Sequence, residues 1–416
     1  MVNRHEVVII GAGQAGLALS HHLCRKAVDH VVLEQGRVAN AWCEDRWDSF
    51  CLVTPNWTIT LPGAEYQAND LGGFLSRNQF VDHLTSWANG FDAPIRDYTR
   101  ALKVLGDQSG FVIETDRGDF RANHVVVATA TYQTARLLPG LAKAADQVLQ
   151  IPASDYRNPT LIPEGGVLIL GGGQTGCQIA EELNAAGFAV FLSVGRSGRL
   201  PRRYRGQDCI LWQRDMGWLD RTPDKLEHPG LRFRGDPHLT GAQGGRTLSL
   251  HELRADGVNL LGRLDGGCDG ILNFRDDLND SLVFSDQYAA DFRASVDKHI
   301  EATGQSAPSP TATEMFGEPS LSITKPLTIT SLDLRARSIS TIILAIGFEF
   351  DFSWIAYPVF DNFGYPVTDR GSTSIPGLHF LGLNWMHKRK SGIIYGVAED
   401  AKNLANRILG PPGCCI

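Results

Sequence analysis

Two glycine clusters, about 160 residues apart, carry the most legible chemistry in this chain. Val7-Val8-Ile9-Ile10 runs into Gly11-Ala12-Gly13-Gln14-Ala15-Gly16, and Val167-Leu168-Ile169-Leu170 runs into Gly171-Gly172-Gly173-Gln174-Thr175-Gly176. Each cluster opens a stretch of helical pattern. In that context the first glycine makes the tight turn and the second lets backbone N–H groups approach a pyrophosphate. The third lets helix and strand pack closely, and the phosphate meets the positive end of the helix. One cluster could be an ordinary turn. Two in this context imply two dinucleotides.

The residues after each cluster separate the two ligands. A helical stretch from Leu17 to Arg25 leads to a second strand, Val31-Val32-Leu33, which ends on Glu34. A carboxylate about 20 residues past the glycines accepts from a ribose 2′-OH and repels a 2′-phosphate, so the first site suits FAD or NAD. After the second cluster, Cys177 to Ala186 reads as a helix closed by Gly187 at C′. The next strand, Val190-Phe191-Leu192, ends in Ser193-Val194-Gly195-Arg196, with Arg199, Arg202, Arg203 and Arg205 close behind. Guanidinium groups match a phosphate bidentately, so the second site suits NADPH. A solvated basic loop is the competing reading of those arginines.

The elements that must hold these groups follow from periodicity. Arg77 to Trp87 repeats apolar residues at helical spacing, and Phe111 to Glu114 and His124 to Ala128 read as strands. Far downstream, Thr341 to Ala345 repeats the strand pattern, Leu378 to Leu383 forms another, and a helix from about Ser391 to Leu409 closes the chain. Asp286 to Ala302 puts Tyr288, Phe292, Val296 and Ile300 on one face, as core packing requires. Gly304 to Pro326, rich in Ser, Thr and Pro, reads as a loop. The expected fold is α/β, with two Rossmann-like, three-layer dinucleotide-binding domains. The NADPH domain (151–340, with a loop-rich insertion) interrupts the FAD domain (1–150 and 341–416).

Composition bounds the function. At 416 residues, 43% hydrophobic and 20% charged, the chain can build two or three domains with sizeable cores. A formal net charge of -7 argues against a broad nucleic-acid surface. Apolar runs are strand-length, far short of the roughly 20 residues that span a bilayer. Arg4, His5 and Glu6 precede the first strand, where a secretory signal would need an apolar run, so a cytoplasmic location is expected. Cys24, Cys43, Cys51, Cys177, Cys209 and Cys268 are scattered, with no C-x-x-C pair beside either fingerprint. They read as reduced thiols, which argues against a dithiol relay, and no metal is expected. Cys414-Cys415 reads as a frayed tail, since Gly413 stands where prenylation needs a cysteine.

From position 7 to about 400 the chain resembles the class B flavoprotein monooxygenases, which include flavin-containing, N-hydroxylating and Baeyer–Villiger types, and within them a bacterial subgroup of flavin-dependent oxidoreductases. The resemblance is carried by the two fingerprints, Arg46-Trp47-Asp48-Ser49, Thr54-Pro55-Asn56-Trp57 and Asp155-Tyr156-Arg157-Asn158-Pro159. Arg202 to Gly206, Asp351 to Ile355 and His387-Lys388-Arg389-Lys390-Ser391 add to it. It implies NADPH-dependent transfer of one oxygen atom from a flavin C4a-hydroperoxide to a small organic substrate, by N- or S-oxygenation or Baeyer–Villiger insertion. Molecular oxygen is the co-substrate, and a homodimer is allowed for. The resemblance places Gln35, Ala41, Trp42, Arg46, Trp47, Thr54, Ala128, Thr129, Gly347 and Gly392 at the cofactors, beside the fingerprint residues Gln14, Ala15, Gln174 and Thr175. It makes Asn56 and Arg46 the candidate catalytic residues, with a Pro-Asn turn as the plain alternative for Asn56.

Departures matter too. The family fingerprint F-x-G-x-x-x-H-x-x-x-(Y/W) would put its histidine at position 152, where Pro152 stands, and only Tyr156-Arg157 survives. The Ala-Thr-Gly linkers read Ala128-Thr129-Ala130 and Ala345-Ile346-Gly347, and Gly382-Leu383-Asn384 replaces the Gly-Asp often found near the last strand. An NADPH oxidase or reductase without oxygen transfer, and a redox-sensing flavoprotein, are therefore the alternative readings.

Overall fold

A computed structural model describes residues 3–107, 110–315 and 329–410. The tail cysteines Cys414 and Cys415, and the stretch of the expected Ser/Thr/Pro loop past residue 315, lie outside the described residues.

The first sheet is built from β1 (Asn3–Ile10), β2 (His30–Leu33), β3 (Ile95–Arg96), β4 (Ala101–Asp107), β5 (Gly110–Thr115) and β6 (Phe120–Val127). Their order is β3-β2-β1-β6-β5-β4. The β3-β2-β1-β6 part is parallel, while β5 pairs antiparallel with both β4 and β6. Val7 to Ile10 and Val31 to Leu33 are buried on both faces, which is why they read as unbroken apolar runs without alternation. Helices α1 (Gln14–Cys24), α2 (Asn40–Glu44) and α3 (Arg77–Gly90) belong to this half. Ser76 and Gln79 close a reciprocal capping box that fixes the start of α3.

The second sheet contains β7 (Leu149–Pro152), β8 (Gly166–Leu170), β9 (Val190–Ser193), β10 (Asn259–Leu261) and β11 (Ile339–Leu344), with helices α4 (Gln174–Ala185), α5 (Cys209–Asp215) and α6 (Leu278–Thr303) in the same stretch of chain. It is parallel throughout, in the order β7-β11-β8-β9-β10. Two expected boundaries shift here. The strand expected to open the return segment at 341 is β11, which sits between β7 and β8 in the second sheet. β7 also begins at Leu149, before the expected boundary at 150, and Pro152 ends it on the sheet edge, where a missing N–H does least harm. The chain rejoins the first sheet at β12 (Leu378–Phe380), parallel to β6. Alternation alone could not say which of two apolar sheets would take β11.

α4 ends as read, with Gly187 in a left-handed conformation at φ 91°. α6 begins earlier than its apolar face implied, and Phe292 and Val296 are buried with Tyr288 and Ile300 packed beside them. The closing helix α7 (Ile394–Leu409) starts after a 3-10 turn at Arg389–Gly392, so Ser391 precedes it. Val397, Ala401 and Leu404 of α7 share a core with Leu17 and Ala18 of α1. No helix among the described residues is long and apolar enough to cross a membrane.

One packing feature sets a pH dependence. His379 on β12 is 6% exposed and lies 3.2 Å from the His124 ring nitrogen, in a stacked pair. Burial, then the neighbouring His124, pushes His379 down to about 4. Between pH 6.5 and 4 the unfolded chain therefore binds a proton that the native state refuses, and stability falls as pH falls. The slope from one such group is at most about 1.4 kcal/mol per pH unit. Urea unfolding at pH 7 and pH 5 should show His379→Gln losing less stability than the parent over that interval. Equal losses would remove His379 from the account.

Candidate functional site

The two fingerprint turns have nearly the same backbone. Gly11 has φ 113° and Gly171 φ 110°. Gly13 stands at φ −82°, ψ −174° and Gly173 at φ −79°, ψ −175°, each capping the helix that follows. A Cβ on Gly11 would come within 2.6 Å of the Ala128 carbonyl oxygen, and one on Gly171 within 2.3 Å of the Ala345 carbonyl oxygen. On Gly16 or Gly176 it would lie 1.9 Å from the carbonyl oxygen of Gly11 or Gly171. At Gly13 and Gly173 it would meet nothing within 4 Å. Protein packing thus demands the first and third glycines and makes no demand on the second. The space in front of Gly13 and Gly173 is what an approaching pyrophosphate needs, so both cradles fit a dinucleotide.

At the first cradle Glu34 is buried at the end of β2, and its carboxylate accepts from the N–H groups of Ala12 (2.8 Å) and Gly36 (3.1 Å). Burial pushes its pKa up, against the pull of those amides and that of Gln35. Gln35 and Ala41 have exposed side chains. Trp42 donates from Nε1 to Gln14 Oε1 at 2.9 Å, tying α2 to the first turn of α1. Ala15 is buried against Gly382, where a Cβ would approach to 2.6 Å, so Gly382-Leu383-Asn384 closes on this end of α1. Gly392 is required by the same closure, since a Cβ there would reach Asn384 Oδ1 at 2.0 Å.

The Arg46 guanidinium lies 5.5–5.7 Å from the ring centroids of Trp42, Phe50 and Tyr132 and donates to its neighbour's carbonyl, Asp45 O, at 2.8 Å. Burial lowers its pKa, but a guanidinium stays charged. Trp47 is core, edge-on to Phe50. Tyr132, which sequence reasoning passed over, also lies tilted against Phe348, with ring centroids 5.3 Å apart, and stays half exposed. Its one signal was its place just after the Ala128-Thr129-Ala130 linker. Ala130 itself adopts φ 62°, so the glycine conformation of that linker survives without the glycine. Thr129 Oγ1 accepts from Gln133 at 3.2 Å, and Gly347 has φ 92° in the matching linker. The two linkers pair antiparallel at Ala135–Phe348.

Asn56 opens a 3-10 turn directly after Pro55, the turn that its plain alternative expects. It is 1% exposed, donates to Asp70 O at 2.9 Å and accepts from Leu75 N at 2.8 Å. Both ends of its carboxamide hold the 70–75 loop, which argues against its being a donor to a reacting group. Thr54 accepts from Thr58 Oγ1 at 3.0 Å beside it.

At the second cradle Ser193 ends β9 with its hydroxyl on Gly262 O at 2.9 Å, and Gln174 and Thr175 open α4, half-buried. The arginine run is not one phosphate cluster. Arg199 pairs with Asp286, Arg202 with Asp208 and Arg205 with Asp297, while Arg203 donates to Gly245 O. Arg196 is exposed and, among the described residues, makes no ion pair. Buried His238 donates from Nε2 to Gly172 O at 2.7 Å, bracing the turn; this residue gave no sequence signal. The His387–Lys390 run is likewise neutralised, with Lys388 and Lys390 both bridging Asp220 and Glu399.

Residues 8–206 match the pyridine nucleotide-disulphide oxidoreductase family. An oxidoreductase named CzcO-like from Geobacillus kaustophilus is 29% identical over 97% of this chain and 98% of its own length. The chain is similar to that oxidoreductase along nearly its whole length. A flavin-containing monooxygenase from Stenotrophomonas maltophilia superposes on this chain with a TM-score of 0.65, at 16% identity, over 98% of this chain and 99% of its own. A probable indole-3-pyruvate monooxygenase from Arabidopsis thaliana is 27% identical over 42% of this chain and 43% of its own length. The likeness in fold to the flavin-containing monooxygenase thus extends along nearly the whole chain.

Proposed function

We propose that the protein is an NADPH-dependent FAD monooxygenase that transfers one oxygen atom to a small organic substrate. FAD takes the cradle at Gly11–Gly16 and NADPH the cradle at Gly171–Gly176. The observation that carries this reading is the pair of matched cradles with opposite charge at the following strand end. Glu34 suits an unsubstituted ribose, and Arg196, exposed and without an ion pair among the described residues, suits a 2′-phosphate. The flavin-containing monooxygenase of the same fold supports the oxygen-transfer part.

In this reading the chain's own residues bind and orient. The N–H groups at the start of α1 and α4 receive the two pyrophosphates. Gln14 fixes Trp42 against α1, and the three aromatic rings hold Arg46 in the cleft as a fixed positive charge. Tyr132, Trp42 and the Gly382–Asn384 closure keep water from the reacting centre. FAD, when bound, supplies the redox and oxygen-transfer chemistry. A cytoplasmic location belongs to the same reading.

Pro152 stands where related enzymes carry a histidine associated with holding the nicotinamide cofactor. It brings no side-chain donor and a fixed φ. Oxygenated product and hydrogen peroxide, both measured per NADPH oxidised, should therefore appear together. Peroxide alone across a panel of amines, sulfides and ketones would favour the oxidase alternative, and full coupling would show that Pro152 costs nothing.

A further inference from the structure

One carboxylate joins the two cradles. Glu182 lies eight residues past Gln174 on α4, about two helical turns from the second cradle. Its Oε1 accepts from Ser49 Oγ at 2.6 Å and its Oε2 from Tyr156 OH at 2.6 Å. Ser49 follows the Arg46-Trp47 segment of the first site, while Tyr156, 1% exposed, belongs to the linker after β7. The same seam is stitched by Asp48 N donating to Arg157 O at 2.8 Å and Asn158 Nδ2 donating to Asp48 Oδ2 at 2.6 Å. Hydroxyl bonds to an ionised carboxylate are the short, strong kind. α4 therefore carries the second cradle at its N-terminus and grips the first site's loop two turns further on.

We propose that Glu182 is a positioning residue that fixes the nicotinamide site against the flavin site, so that hydride passes between them without a search for register. The proposal rests on the functional reading above. Glutamine in its place keeps one acceptor oxygen and puts an amide NH2, a donor only, where the other stood, so both charge-assisted bonds are lost and one hydroxyl must turn to accept. Displacing reacting groups by about 1 Å can cost on the order of 100-fold in rate.

The test uses the full chain as purified with its flavin. Under anaerobic conditions Glu182→Gln should lower the limiting rate of flavin reduction by NADPH about tenfold. FAD content and the NADPH concentration for half-saturation should stay within about twofold of the parent. Ser49→Ala, which spares the core, should lower the rate in the same direction, and Ser49→Thr, which keeps the hydroxyl, should restore it. Hydrogen exchange at the Asp48 amide, read without NADPH, should quicken in Glu182→Gln while exchange in β1 and β8 does not change. A parental reduction rate in Glu182→Gln overturns the proposal, whether or not exchange quickens. A slower rate with unchanged exchange also overturns it, because Glu182 would then act by some route other than the clamp. If NADPH fails to reduce the parent protein at all, the functional reading fails instead, and the exchange measurement still judges the clamp.

Discussion

Gly13→Val leaves the protein folded and without FAD. The substitution is harmless to the chain itself: φ −82° and ψ −174° are extended backbone that valine accepts, and nothing lies within 4 Å of the new Cβ. The valine methyls then fill the space that a pyrophosphate needs in order to meet the N–H groups opening α1. The expected result is loss of bound flavin, read by absorbance after reconstitution with excess FAD. The midpoint of unfolding of the flavin-free protein should be unchanged. Gly16→Val is the control with the opposite character. Its Cβ would sit 1.9 Å from Gly11 O, so it should fail by misfolding rather than by failing to bind. Parental flavin content in Gly13→Val would show that the first cradle does not receive the pyrophosphate.

Arg196→Ala raises the Michaelis constant for NADPH about tenfold to a hundredfold and leaves that for NADH nearly unchanged. The range follows from roughly 1.5–3 kcal/mol for a charge-assisted contact to one phosphate. Arg199, Arg202 and Arg205 are already paired to carboxylates and Arg203 to backbone carbonyls. Arg196 remains as the arginine of that run that is exposed and, among the described residues, without such a partner. Steady-state NADPH and NADH oxidation by parent and variant gives the ratio directly. Equal use of the two cofactors by the parent would reduce Arg196 to a solvated side chain.

The cradles and Glu34 were legible because their signals are local. A buried parallel strand, a glycine turn and a helix start occupy one short stretch, and the acid arrives at the end of the next strand. The fate of the arginine run was not legible for the opposite reason. Arg199 finds Asp286 and Arg205 finds Asp297, partners nearly 90 residues or more away that no spacing rule connects. The turn at Pro55-Asn56 was legible, but not the loop that Asn56 holds, which returns from residues 70–75. The strand β11 was recognised as a strand and placed in the wrong sheet, because an apolar parallel strand fits the middle of either. Tyr132 and His238 matter through what they touch, and a sequence shows no touching.

The most direct measurement is anaerobic mixing of the purified, flavin-loaded protein with NADPH while the flavin absorbance near 450 nm is followed, with NADH in a parallel run. The account predicts rapid bleaching by NADPH and much slower bleaching by NADH at the same concentration. A flavin that stays oxidised under NADPH, while dithionite still bleaches it, would contradict the assignment of the two cradles to one hydride-transfer path.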